Sequence, residues 1–217
     1  MDSTIKLLPA DKVQTVYERL RQAMPNPDSA LQWKNIYTLL IAVVLSAQAT
    51  DTGVNKATKP LFEHIDTPEK MVALGEEALK GYISSINLYP TKAKRIIALS
   101  RILIDQYQSA VPHDRAALES LPGVGRKTAN VVLNVGFGEP TIAVDTHILR
   151  TAPRIGLSNG TTPLEVEQDL LRVTPEEFLL NAHHWVLLHG RHVCKARTPN
   201  CSDCILNDIC LKNGIPM

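Results

Sequence analysis

The segment Leu121-Pro122-Gly123-Val124-Gly125-Arg126-Lys127-Thr128-Ala129 is a glycine-rich turn that opens a helix. Gly123 and Gly125 permit backbone angles that are closed to other residues, and they let a phosphate approach the main chain. The helix that begins near Arg126 adds free N–H groups and the positive end of its dipole. We therefore predict that Gly123, Gly125 and Arg126 contact a nucleic-acid backbone without reading its sequence. A structural turn between two helices is the alternative.

Two reactive side chains follow this turn. Lys127 stands at the start of the helix, and Asp145 comes later in Val144-Asp145-Thr146-His147. We expect Arg126 and partial burial in a cleft to disfavour the charged form of Lys127, so that its neutral amine can attack an electrophilic sugar carbon. Asp145 can then take a proton from the amine or stabilise positive charge on the sugar. Alternatively, Lys127 only binds phosphate or is solvated, and Asp145 only caps the next helix.

The composition allows nucleic-acid contact through local patches. The chain has 217 residues, of which 44% are hydrophobic, so it can form one large or two small domains. Its net charge is only +1, which means that contacts must come from clusters such as Lys92, Lys94 and Arg95. The N-terminus lacks the apolar run of a signal peptide, and no apolar stretch is long enough to span a membrane. We therefore expect a cytoplasmic protein.

Helical periodicity dominates the chain and predicts an all-α fold. Residues 35–48 are apolar on nearly every side, as in a helix at the centre of a domain. The sequence contains no convincing two-residue alternation and no pair of strands joined by a hairpin turn. Apolar stripes at helical spacing occur on three further segments: Val13, Val16, Tyr17 and Leu20; Ile96, Leu99 and Leu103; and Phe178, Ala182, Trp185 and His189.

The break at Gly138-Glu139-Pro140 predicts a boundary between two helical lobes. We expect residues 29–139 to form a six-helix module that contains the helix-hairpin-helix. Residues 1–28 and 140–217 would form the second lobe, with the N-terminal helix packed onto it. A DNA-binding cleft would then lie between the lobes, with Lys127 on one side and Asp145 on the other.

All four cysteines lie in the segment Cys194-x6-Cys201-x2-Cys204-x5-Cys210. Because a disulfide framework spreads its cysteines over the fold, this crowding favours a metal site. The spacing alone is equally compatible with zinc and with an iron–sulfur cluster. Lys195 and Arg197 lie between the first two cysteines, and we predict that the metal-bound loop presents them to DNA phosphates. Solvated loop charges are the alternative.

Together these motifs resemble those of the helix-hairpin-helix-Gly/Pro-Asp DNA glycosylases. The likeness covers the run from Leu121 to Asn130, the Gly138-Glu139-Pro140 loop and Val144-Asp145-Thr146-His147, and a lysine at position 127 is typical of the bifunctional endonuclease III branch. By this resemblance Lys127 is the nucleophile that forms a Schiff base, and Asp145 is the essential acidic residue.

The cysteine pattern is similar to that of the same branch, including the His189-Gly190-Arg191 that precedes it. This resemblance implies a [4Fe–4S] cluster held by all four cysteines. With no ligand position left open on the iron, the cluster is expected to have a structural or DNA-docking role.

The resemblance also assigns two groove residues, because an enzyme that works on a base must extrude it and fill the gap in the stack. The segment Leu45–Asp51 resembles the family segment whose glutamine enters that gap, which assigns Gln48 to this role. Leu88, in Asn87-Leu88-Tyr89-Pro90, would be the apolar wedge on the opposite strand. Without the resemblance, Gln48 would be a polar residue at a helix C-terminus and Leu88 a core leucine.

Two residues depart from the family pattern. Asn87 stands where glycine is common, but asparagine tolerates a left-handed backbone, so the turn can be kept. Pro153 stands inside the helix after Asp145, where asparagine is common. An interior proline costs about 3 kcal/mol and kinks a helix, so we expect it to alter the floor of the cleft. His147, beside Asp145, is expected to be structural.

The resemblance implies a base excision repair DNA glycosylase that removes oxidised pyrimidines and cuts the strand 3′ to the abasic site by β-elimination. Its partner would be double-stranded DNA with damaged bases or abasic sites, bound by a monomer. Two alternatives remain open: a monofunctional glycosylase for mismatched adenine or thymine, whose members lack a lysine at the hairpin, and a non-catalytic DNA-binding module.

Overall fold

The computed structural model describes residues 5–27 and 29–215, and every regular element in these two ranges is a helix. The all-α prediction is therefore confirmed. In the same ranges, no helix combines the length and the apolar character needed to cross a bilayer. The helices, in chain order, are α1 (Ala10–Ala23), α2 (Ile36–Ser46), α3 (Asp51–His64), α4 (Pro68–Leu74), α5 (Glu76–Ile83), α6 (Tyr89–Tyr107), α7 (Arg115–Glu119), α8 (Arg126–Phe137), α9 (Thr146–Ile155), α10 (Pro163–Val173) and α11 (Glu176–His192).

The chain divides into two compact units, each with its own core. The first unit, Ser29–Glu139, contains α2 to α8. The second joins α1 to the chain from Pro140 onward and contains α9 to α11 and the cysteine loop. The first unit has seven helices where the sequence predicted six. Gly75, at φ +80°, is the C-cap of α4 and the N-cap of α5, so two short helices meet at this residue.

Helix α2 forms the centre of the first unit. Its residues from Tyr37 to Leu45 are all buried, because its sequence has no polar face, and it packs on α3, α6 and α8. A capping box begins the helix. Thr38 N donates to Asn35 Oδ1 at 2.9 Å, and Asn35 N donates to Thr38 Oγ1 at 3.0 Å. The predicted buried helix is confirmed.

An aromatic cluster joins α1 to the rest of the second unit. The rings of Tyr17 and Phe178 stack at a centroid distance of 5.6 Å, and Trp185 packs edge-on against Phe178. Trp185 Nε1 donates to Met24 O at 2.8 Å, and Thr174 Oγ1 donates to Tyr17 Oη at the same distance. These contacts bury the apolar stripes that the sequence predicted on α1 and α11.

Helices α9 and α11 approach each other closely at Gly190. A Cβ atom at this position would lie 2.5 Å from Thr151 Oγ1 and 3.2 Å from the carbonyl oxygen of His147. Pro153 lies in the last turn of α9, about two turns from Asp145. Its carbonyl oxygen accepts hydrogen bonds from Gly156 N at 3.1 Å and from Asn213 Nδ2 at 2.9 Å, so this turn is tied to the segment that follows the cysteines.

Candidate active site and DNA-contact residues

The glycine turn connects α7 to α8 as the sequence predicts. Gly123 has a φ of +85°, which other residues rarely adopt, and a Cβ atom there would lie 3.2 Å from Arg95 Cδ. Gly125 precedes α8 in an extended conformation and gives it no side-chain cap. Leu121 and Val124 are buried beneath the turn, and the start of a helix such as α8 presents N–H donors and a positive dipole end that suit an anion such as phosphate. Arg126 Nη1 lies 4.0 Å from Glu119 Oε1 across the turn.

Lys127 lies in the first turn of α8, and its side chain is exposed. The partial burial predicted for it is wrong. Ala129 and Val132 of α8 face the core, and residues two apart on a helix point to nearly opposite sides, so Lys127 points outward. Within the described residues, its ammonium makes no hydrogen bond or ion pair. The amine is therefore accessible, and the fold alone does not dehydrate it.

Asp145 is the N-cap of α9, which is one of the two roles that the sequence left open. Its Oδ1 accepts hydrogen bonds from His147 N at 2.9 Å and from Ile148 N at 2.8 Å. The cap uses a single carboxylate oxygen, since no described residue donates a hydrogen bond to Oδ2. The cap therefore fixes the orientation of the carboxylate and leaves one oxygen for a further partner.

Gln48 and Leu88 line one pocket of the first unit, of about 150 Å³. Gln48 is exposed and left-handed, at φ +56°, just after the end of α2. Leu88 is 54% exposed and left-handed, at φ +58°, just before α6. The alternative of a core leucine is therefore excluded. The same pocket, which we call the Gln48–Leu88 pocket, is also lined by the end of α2 and by Thr91, Lys92, Arg95 and Gly123.

The left-handed residue of this turn differs from the one expected. Leu88 adopts the positive φ, while Asn87 does not. The side chain of Asn87 instead accepts a hydrogen bond at its Oδ1 from Leu88 N, at 3.1 Å. A leucine in the left-handed region costs on the order of 1–2 kcal/mol, which α6 and its contacts must offset.

The sequence places Lys92 in a surface cluster, and the structure gives it a buried role instead. It is only 5% exposed, and its ammonium donates to the carbonyl oxygens of Leu45 at 2.9 Å and Ala47 at 2.6 Å. Helix ends leave such carbonyls without a helical partner, so Lys92 caps α2 directly before Gln48. Burial lowers the pKa of the Lys92 ammonium. Its grouping with Lys94 and Arg95 as one surface cluster is therefore wrong, since only those two are exposed.

The four cysteines surround one pocket of the second unit, together with apolar side chains such as Ile155 and Val193. Among the described residues, no three His, Cys, Asp or Glu side chains meet closely enough to share a single metal ion. Burial raises the pKa of the Cys204 and Cys210 thiols, which a bound cationic iron would counteract. A pocket lined by four thiols, by apolar side chains and by polar ones such as His189 and Lys212 fits an iron–sulfur cluster.

Two arginines of α9 hold the cysteine loop through its main chain. Arg154 donates to the carbonyl oxygens of Lys195 at 2.8 Å and Ala196 at 3.0 Å. Arg150 Nη2 donates to the carbonyl oxygens of Gly190 at 2.8 Å and Cys194 at 3.2 Å. Arg154 thus orders the backbone between Cys194 and Cys201, and the side chains of Lys195 and Arg197 on this stretch are exposed.

Comparison with known proteins identifies the family. Residues 41–176 match the HhH-GPD superfamily of base excision DNA repair proteins, and residues 194–210 match the iron–sulfur binding domain of endonuclease III. Endonuclease III of Treponema pallidum is 64% identical over 97% of this chain and 100% of its own length. Endonuclease III of Escherichia coli is 53% identical over 90% of this chain and 92% of its own.

Solved structures agree with this result. A trapped endonuclease III–DNA covalent intermediate with an estranged adenine superimposes with a TM-score of 0.88 and 44% identity, over 95% of this chain and 98% of that one. The match at the cysteine loop decides between zinc and iron in favour of the predicted iron–sulfur cluster. The resemblance inferred from the sequence motifs is confirmed. The chain belongs to the endonuclease III family, within the helix-hairpin-helix superfamily of base excision DNA repair proteins.

Proposed function

We propose that the chain removes oxidised pyrimidines from double-stranded DNA, with Lys127 as the attacking amine and Asp145 as its acidic partner. Membership of the endonuclease III family makes the chain a base excision repair enzyme, a DNA glycosylase with abasic-site lyase activity. The lesion class and the residue roles are the proposal. The observation that carries it is the exposed Lys127 amine, directly after the hairpin of Gly123 and Gly125.

The hairpin supports binding of the damaged strand. The first N–H groups of α8 have no side-chain cap, and the dipole of α8 favours an anion at this end. Gly125 has open space where a Cβ would stand, so a phosphate can approach the main chain there. Arg126, held near Glu119, adds positive charge beside the same turn. Such contacts place the sugar of the damaged nucleotide within reach of α8.

The chemistry needs an amine, a proton acceptor and a fixed sugar. In the proposed step, Lys127 Nζ forms a bond to C1′ while the bond from C1′ to the base breaks, and Asp145 Oδ2 takes the amine proton. Ring opening gives a Schiff base on Lys127. Loss of the C2′ proton and departure of the 3′ phosphate by β-elimination then cut the strand. A solved relative described as a trapped covalent intermediate with DNA supports a nucleophile of this kind.

Gln48 and Leu88 are proposed to fill the gap left by the extruded base. Support comes from their exposure, their left-handed backbones and their position around one pocket. Both side chains suit this gap, because the amide of Gln48 can hydrogen-bond an unpaired base and the side chain of Leu88 can replace the lost stacking.

Lys195 and Arg197 are proposed to bind DNA phosphates. Cys194, Cys201, Cys204 and Cys210 would hold the cluster, and these four ligands would then be linked through it. The clamp from Arg154 to the carbonyl oxygens of Lys195 and Ala196 orders the same stretch from outside. We further propose that the protein acts as a monomer on damaged or abasic duplex DNA, in the cytoplasm at the nucleoid.

The test is covalent trapping by borohydride on a duplex that contains an abasic site. Lys127→Gln should abolish the trapped complex while DNA binding is retained. The matched control is Lys70→Gln, which removes another exposed lysine of the same unit, one paired with Asp66 on the surface. Full trapping by Lys127→Gln would assign the chemistry to another amine. No trapping and no strand cutting by the unmodified protein would indicate a monofunctional glycosylase or a binding module.

A further inference from the structure

Two positively charged side chains of α6, Lys92 and Arg95, line the Gln48–Leu88 pocket, and the proposed function uses neither. Lys92 is buried and donates two hydrogen bonds, to Leu45 and Ala47, so one of its three N–H groups is uncommitted. Arg95 is exposed, and none of the described residues forms a hydrogen bond or ion pair with its guanidinium. Both cations therefore keep capacity to bind an anion.

The charge of the pocket is not neutralised by its own walls. Apart from Lys92 and Arg95, the described residues that line it are apolar or neutral, and one of them, Thr91, carries a hydroxyl group. A cavity of about 150 Å³ with two cations and a hydroxyl has room and donors for one phosphate group. The planar guanidinium of arginine suits such a group, because it can donate two parallel hydrogen bonds to phosphate oxygens.

The hairpin holds Arg95 in place. The Cβ and Cδ atoms of Arg95 pack on Gly123, where an added Cβ would lie only 3.2 Å from Cδ. Gly123 therefore permits the positive φ of the turn and also leaves room for the aliphatic part of Arg95. Arg95 therefore lines the pocket together with Gly123 of the hairpin and with the turns of Gln48 and Leu88.

We propose that this pocket is a phosphodiester-binding site at the point of base extrusion, with Arg95 as its main ligand and Lys92 as its buried charge. The proposal deepens the proposed function, since it depends on Gln48 and Leu88 filling the vacated stack. Because these two side chains reach the gap only when the base has left it, the phosphate enters the pocket in the extruded complex. Arg95 then contributes less to binding of undamaged duplex.

The test compares the salt dependence of DNA binding by the full, cluster-containing protein. The probes are a duplex with a non-cleavable abasic-site analogue and the same duplex undamaged. Arg95→Gln removes the charge and keeps the atoms that pack on Gly123. Lys94→Gln is the matched control, because it removes an exposed charge next along the same helix but outside the pocket. Arg95→Lys keeps the charge.

On the abasic duplex, Arg95→Gln should make the slope of log K against log salt shallower by about 1. Lys94→Gln should change it by less than half as much, and Arg95→Lys should restore most of the slope. Equal effects of Arg95→Gln and Lys94→Gln would overturn the proposal, as would an equal loss on undamaged duplex. This experiment measures DNA binding alone, so its result does not depend on trapping at Lys127. A failed trapping test would refute the role of Lys127 as nucleophile and would leave the binding result valid.

Discussion

The ammonium of Lys92 donates a hydrogen bond of 2.6 Å to the carbonyl oxygen of Ala47, the residue directly before Gln48. The backbone N–H of the same lysine donates to the carbonyl oxygen of Leu88 at 3.1 Å. One residue of α6 is therefore bonded to both turns that carry the proposed extrusion pair. These turns hold two non-glycine residues at positive φ, a conformation that persists only when its surroundings fix it.

Replacement of Lys92 by methionine should disturb extrusion more than cutting. The buried carbonyl oxygen of Leu45 and the half-buried one of Ala47 would lose their donor, so the free energy of unfolding should fall by about 1–3 kcal/mol in a urea titration. Base removal from duplex DNA should slow more than β-elimination at an abasic site in single-stranded DNA, which has no stack to refill. Lys94→Met is the control. Equal slowing of both reactions would indicate a general loss of structure.

The variants Asp145→Asn and Asp145→Ala should separate the two roles of Asp145, which are to cap α9 and to accept a proton. Asparagine caps helices as well as aspartate does, so Asp145→Asn should keep the free energy of unfolding within about 0.5 kcal/mol. Its kcat for base removal should fall by about 100-fold or more, because the proton acceptor is lost. Asp145→Ala should also lose about 1 kcal/mol of stability. If Asp145→Asn keeps full kcat, the carboxylate is only a cap.

Charge removal at the cysteine loop should weaken DNA binding without loss of iron. In the double variant Lys195→Gln and Arg197→Gln, the slope of log K against log salt should become shallower by about 2, one for each phosphate contact. The visible absorption of the cluster should stay unchanged, since neither Lys195 nor Arg197 is a ligand of the cluster. Arg172→Gln, which breaks a surface pair with Asp169 on α10, is the control. An unaltered slope would mean that both charges are merely solvated.

The burial of Tyr17 predicts that the free energy of unfolding falls at alkaline pH. Burial raises its pKa to about 12, so the folded chain keeps a phenol proton that the unfolded chain loses above about pH 10. The stabilisation is therefore complete below pH 10 and is lost as the pH rises toward 12. Between about pH 9 and about pH 11, Tyr17→Phe should lose about 1.4 kcal/mol less stability than the unmodified chain.

At neutral pH, the same variant should be less stable by about 1 kcal/mol, because the hydrogen bond from Thr174 is gone. Tyr82→Phe, at an exposed tyrosine of α5, is the control for removal of a tyrosine hydroxyl group. Parallel pH curves for Tyr17→Phe and the unmodified chain would contradict the burial argument. Denaturant unfolding followed at each pH provides the measurement.

The parts of the fold that follow local rules could be predicted from the sequence. Residues 35–48 are apolar on nearly every side, which predicts a buried helix, and Gly123 and Gly125 predict the turn that precedes α8. The crowding of the cysteines argues against a disulfide framework, but their spacing does not distinguish zinc from iron. That decision came from the whole-segment match at residues 194–210.

What could not be predicted depends on three-dimensional neighbours. Lys92 and Lys94 look alike in the sequence, yet only Lys92 continues the apolar stripe of Ile96 and Leu99 at helical spacing, which is the signal that marks it as buried. Asn87 was expected to be the left-handed residue, but the strain lies on Leu88 because α6 begins immediately after it. Lys127 is exposed because the opposite face of α8 packs against the core, and the sequence alone does not show which face does so.

The role of Lys127 as the nucleophile is tested most directly by locating the bond between protein and DNA. Unmodified protein is reduced with borohydride on an abasic duplex, the trapped complex is digested with protease and nuclease, and the adduct is mapped by mass spectrometry. We expect one modified residue, Lys127, carrying a reduced deoxyribose remnant. An adduct on any other amine, with Lys127 recovered unmodified, would contradict this role.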